Sequence, residues 1–85
     1  MKISKFASWA KHDNQTFIIN SETQKCVVLD EIGEEIWESL IKTQSLNQTI
    51  DNLVNKYSNN DSAAIQKDIV DMFNIFVEND LIIES

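Results

Sequence analysis

Few residues in this 85-residue chain have the types and spacing that reaction chemistry demands. One histidine, His12, stands beside Asp13, but a metal centre needs several ligands at defined spacing and none follow. Cys26 has neither a second cysteine nor a base nearby in sequence, so it reads as a small packing residue. Glu34-Glu35 and Asp68 with Asp71 offer carboxylates, yet charges on exposed helical faces are ordinarily just solvated. With Gly33 as its only glycine, the chain has no phosphate-cradling loop, and no serine sits in a nucleophile elbow. The expectation is a non-enzymatic protein with no metal and no cofactor, which leaves binding as its chemistry.

Charge narrows the partner. Fourteen acidic against seven basic residues give a net charge of −7, which repels nucleic-acid phosphates and anionic membrane surfaces. A neutral or basic partner is expected, with no nucleic acid and no membrane. A chain that is 42% hydrophobic, has no proline and lacks a bilayer-length apolar run reads as one small soluble domain over residues 1–85. The unpaired cysteine, and a beginning MKISKFASWAKHD without a signal-peptide apolar core, point to the cytoplasm.

The elements that must position any binding site follow from periodicity. Phe6 and Trp9 lie in a first strand, Asp13-Asn14 suits a tight hairpin turn, and Gln15 to Asn20 is a β-branched and aromatic second strand. Ser21 to Gln24 is a second loop, and Lys25 to Leu29 a third strand. There the period changes abruptly: Ile32, Ile36, Trp37 and Leu40 have helical spacing, with Asp30 as the cap and Glu31, Glu34 and Glu35 near the positive end of the dipole. Ser45 and Gln48 form a capping-box pattern ahead of Leu46, Ile50, Leu53, Val54 and Tyr57. After a polar loop, Ser58-Asn59-Asn60, Asp61 caps a third helix running to about Asn79. Leu81 to Ile83 closes the chain as a short strand or a packed tail.

Two patterns bear on binding. Alternation puts Val27 and Leu29 on one face of their strand, toward the helices, and Cys26 and Val28 on the other. In the third helix Ile65, Ile69, Met72 and Phe76, flanked by Val70, Phe73 and Val77, spread over an arc of roughly 160°, against about 100° for one buried stripe. That helix has more apolar face than one core requires.

The run from DNQTFIINSETQ through LDEIGEEIW, the capped second helix, DIVDMF and NDLI resembles the PqqD family over about residues 13 to 83. Leu29, Asp30, Gly33, Ile36 and Trp37 match its strand-to-helix junction, and Asp68 matches the aspartate of its third helix. Gln24 replaces a turn glycine common in the family, and Cys26 and Val27 stand where aromatic residues are common. The resemblance implies an α+β, winged-helix-like domain: a three-stranded antiparallel sheet followed by three helices. It further implies an adaptor that takes the leader segment of a ribosomally made precursor peptide as an added strand and delivers it to a radical SAM enzyme, a leader peptidase or a cyclase. On that reading Lys25, Cys26, Val27, Val28 and Leu29 form one wall of the groove and the third helix the other. Val70, Phe73 and Val77 are the candidates for the helical wall, with ordinary core as the alternative for all three. Asp68 is a candidate for either a peptide contact or a local hydrogen bond. Gly33 is expected to let the first helix approach its neighbour closely. Two other classes stay open: a non-catalytic subunit binding a larger protein through the same edge, and a winged-helix nucleic-acid binder, which the charge of −7 opposes.

Overall fold

The structure, a computed structural model, describes residues 1–57 and 61–84. Its strands are β1 (Lys2–Ile3), β2 (Ala7–His12), β3 (Gln15–Asn20), β4 (Cys26–Leu29) and β5 (Ile82–Ile83), and its helices α1 (Glu31–Thr43), α2 (Leu46–Lys56) and α3 (Ser62–Glu78). The fold is α+β, with an antiparallel sheet ordered β2-β3-β4 preceding the three helices. The loop expected at 58–60 lies outside the described residues.

Local chemistry explains each junction. Asp13 and Asn14 join β2 to β3 with φ of 51° and 66°, left-handed angles that their short polar side chains tolerate and that match the twist of a hairpin. Burial alternates along β3: Thr16, Ile18 and Asn20 face inward, Phe17 and Ile19 outward. Asp30 caps α1 by accepting from the Gly33 N–H at 2.8 Å. Ser45 caps α2 by accepting from the Gln48 N–H at 3.1 Å. Only that half of the expected capping box forms, because the Gln48 amide donates onward to Asn52 and the Ser45 N–H donates to the Thr43 hydroxyl. Asp61 caps α3 through the Ala63 N–H.

Gly33 allows the expected close approach, and the neighbour is the strand before the helix. A Cβ there would lie 3.1 Å from Leu29 Cβ and 3.2 Å from Leu29 Cδ2, so the missing side chain makes room for the last residue of β4, not for another helix. The chain turns from strand to helix so tightly that the first turn of α1 sits on Leu29. That closeness fixes the direction of β4.

The core is built around Trp37, in edge contact with Phe76 at 4.8 Å and with Trp9 at 5.3 Å, and includes Ile18, Leu29, Ile36, Leu40 and Ile69. The end of the chain does form a strand: β5 pairs antiparallel with β1, Lys2 opposite Ile83 and Ile3 opposite Ile82, and the Ser4 N–H donates to the Leu81 carbonyl.

Candidate functional site

Among the described residues β4 pairs with β3 alone, leaving its other edge open. The register shows which groups face outward. Asn20 donates to the Lys25 carbonyl, and hydrogen-bonded pairs in an antiparallel ladder recur every second residue, so Val27 opposite Ile18 and Leu29 opposite Thr16 bond to β3. The N–H and C=O groups of Cys26 and Val28 therefore point to the open edge. The side chains follow the expected alternation: Leu29 is buried and Val27 half-buried against the helices, while Cys26 and Val28 (49% exposed) stand on the outer face.

Helix α3 is tied to the start of this edge at its C-terminal end and borders the strand-to-helix junction farther back along its length. At the first place Lys25 Nζ reaches the Glu78 carbonyl at 3.3 Å and Asp80 Oδ2 at 3.1 Å. At the second, Asp30, Ile32 and Ile36 share a hollow with Asp68, Asp71, Met72 and Ile75. The buried Asn20 strengthens the first tie: its Nδ2 donates to the Asp80 carbonyl at 2.7 Å, and its Oδ1 accepts from the N–H groups of Glu22 and Thr23 at 2.8 and 3.0 Å. One side chain thus holds the β3–β4 loop onto the end of α3 and sets the spacing between β4 and the helix.

The flank of α3 that faces β4 is not the expected one. At 100° per residue Asp68, Met72 and Ile75 cluster within about 60°, and Val70, Phe73 and Val77 cluster within about 60° on the far side of the core residues Ile69 and Phe76. Phe73 is 4% exposed and lines a different depression with Met1, Leu46 and Glu84. The cause is the β1–β5 pair together with the turn between α1 and α2, which cover that side of the helix. Asp68 does face the groove. Ile32 (49% exposed) and Ile75 (39% exposed) form its apolar ledge, and neither is among the residues expected there. The usable signal was spacing: 68, 72 and 75 are successive positions on one helical stripe.

A second hollow, of about 180 Å³, opens from the same place between the three helices, lined by Ile32, Ile36, Leu53, Ile65 and Ile69, with Glu35, Tyr57 and Asp68 as its polar members. Glu35 accepts from Lys56 Nζ and from the Tyr57 hydroxyl, which hold its carboxyl below the ordinary glutamate range and push the phenol and the ammonium up. On the inner face of the sheet, the Thr16 hydroxyl and then Lys11 lower Glu34 in the same way. His12 is exposed, 3.2 Å from Asp13, and among the described residues no group of three or more histidine, cysteine or acidic side chains is placed to hold a metal.

The family model for "Coenzyme PQQ synthesis protein D (PqqD)" matches residues 15–82, which include the open-edged strand and all three helices. The chain belongs to the PqqD family. Among solved structures this PqqD-family chain is similar to "TbiB1 in Complex with the TbiA(beta) Leader Peptide", with 25% identity, TM-score 0.81, and coverage of 95% of this chain and 93% of that one. It is also similar in fold to "Lasso peptide synthetase B1 complexed with the leader peptide", at 16% identity and TM-score 0.81, covering 98% and 96% of the two chains. Among curated proteins no sequence matches significantly. No helix among the described residues of this PqqD-family member is long and apolar enough to cross a membrane.

Proposed function

We propose that this protein is a non-catalytic adaptor of the cytoplasm that binds the leader segment of a ribosomally made precursor peptide as a fourth strand on the sheet, beside β4, and presents it to a modifying enzyme. The observation that carries the reading is the free edge of β4, with the N–H and C=O groups of Cys26 and Val28 directed outward next to the apolar ledge of Ile32, Met72 and Ile75. Main-chain bonds supply affinity in strand addition and side-chain pockets supply selectivity. Two related structures of the same fold carry a leader peptide, which supports the same occupant here. The enzyme it serves is of a class that acts on such peptides: a radical SAM enzyme, a leader peptidase or a cyclase.

Hydrogen exchange on adding a leader peptide that the chain binds tests this. The Cys26 and Val28 amides slow markedly on binding, those of Val27 and Leu29, already bonded to β3, change less, and α2 is unaffected. Val28→Pro removes an outward donor without breaking the β3 ladder and abolishes most binding, whereas Val27→Pro breaks the bond to Ile18 and destabilises the fold. Protection confined to α2 would sink the proposal.

A further inference from the structure

The hollow between the helices has a chemical asymmetry that a strand on β4 alone does not use. Its interior is apolar, with Ile36, Leu53 and Ile69 buried, and its mouth is formed by the exposed Ile32 and Asp68. The inner acid, Glu35, is already bonded to Lys56 and Tyr57. Asp68 is different. Among the described residues it forms no ion pair, while its neighbour Asp71, one turn along, is held by Lys67 at 2.8 Å. Asp68 also lines both hollows, the one beside Asp30 and the one between the helices, so it stands where the groove along β4 opens into the pocket. Lys56 pairs with Glu35 and Lys67 with Asp71.

We propose that the mouth of this hollow takes the side chain of a lysine or arginine of the bound leader, its methylene stem along the exposed Ile32 and its cationic head on Asp68. The inference rests on the strand-addition reading and names what the added strand must carry. Long basic side chains are suited to such a site because they lay an apolar stem along apolar surface and keep the charge at the rim. An aliphatic side chain would fill the walls but leave the Asp68 carboxylate losing water beside the incoming peptide with nothing in exchange. An acidic one would meet Asp68 and the nearby Asp30 and Asp71. The net charge of −7 draws in a basic segment over a longer range, and the pocket then fixes which residue of it is read.

A phage-displayed library of random peptides, selected on the intact chain, separates the pocket from the strand edge. Binders that protect the Cys26 and Val28 amides share a lysine or arginine at one fixed position. Replacing that residue by methionine lowers affinity tenfold or more. Asp68→Asn, folded by circular dichroism, brings the basic peptide down to the affinity of its methionine form, Asp68→Lys shifts the selected position to aspartate or glutamate, and Asp71→Asn changes nothing. Binders that protect β4 but show no basic preference, or that ignore Asp68→Asn, overturn the pocket and leave strand addition standing. If no selected peptide protects β4, strand addition fails and the pocket proposal falls with it.

Discussion

The two flanks of α3, one wholly apolar and the other with an aspartate among its apolar residues, have opposite fates. Phe73 is buried beside the ends of the chain and the turn between α1 and α2, and Val77 packs against the core, whereas Asp68, Met72 and Ile75 border a hollow at the end of an unpaired strand. A wide apolar arc on a helix therefore states that a second surface must be met. It does not state on which side. What decides is the rest of the chain, and here two residues at each end, Lys2–Ile3 and Ile82–Ile83, are enough.

The largest effects test that contrast directly. Phe73→Glu puts a carboxylate in the core at a cost on the order of 3 kcal/mol or more, much of the stability of a domain this size, and its thermal transition is lost or far lowered. Ile75→Glu, on the open flank, keeps its melting temperature within the spread of about 0.5 kcal/mol typical of surface changes but weakens leader binding tenfold in titration. Equal stability in the two variants would erase the distinction between the flanks.

Next in size is the tie that holds the open flank at its distance. Asn20→Ala leaves the Asp80 carbonyl and the Glu22 and Thr23 amides without their partner and costs about 2 kcal/mol, seen as a lower denaturant midpoint. Amides of β4 then exchange faster while those of α2 hold. Acid probes the opposite side of the groove. Glu34 and Glu35 titrate below the ordinary value of 4.5 in the folded chain, so their contribution is present above that pH and is lost as pH falls through the folded values. The melting temperature falls in that acid window, and Glu35→Gln flattens part of the fall. The smallest effect is at Gln24, which holds φ of 64° in the turn leading to β4. Gln24→Gly relieves a left-handed side-chain conformation and raises stability by about 0.5–1 kcal/mol, read as a small rise in melting temperature with binding unchanged.

Features set by neighbours in sequence were the legible ones. The Asp13-Asn14 turn, the caps at Asp30, Ser45 and Asp61, and the alternation of β4 depend on a few consecutive residues each, and all appear as read. Features set at long range were not. The two-residue β1 carries no periodicity, the partner of Gly33 depends on how sharply the chain turns at Asp30, and Asn20 looks like any strand-end asparagine until Asp80 arrives beside it. Ile75 went unassigned for a related reason: its exposure depends on where the ends of the chain pack.

The alternation of side chains along β4 has a consequence for how information in a bound peptide is divided. A strand added beside Cys26 and Val28 continues the same pleat, so every second side chain turns inward to Met72, Ile75 and Asp68, and the remainder emerge on the outer face with Phe17 and Ile19. The adaptor can inspect only half the letters of the tag it holds. The other half stays legible to a second reader, so mutations that retune recognition by the adaptor and mutations that retune recognition by the enzyme fall on alternating positions and can accumulate without colliding.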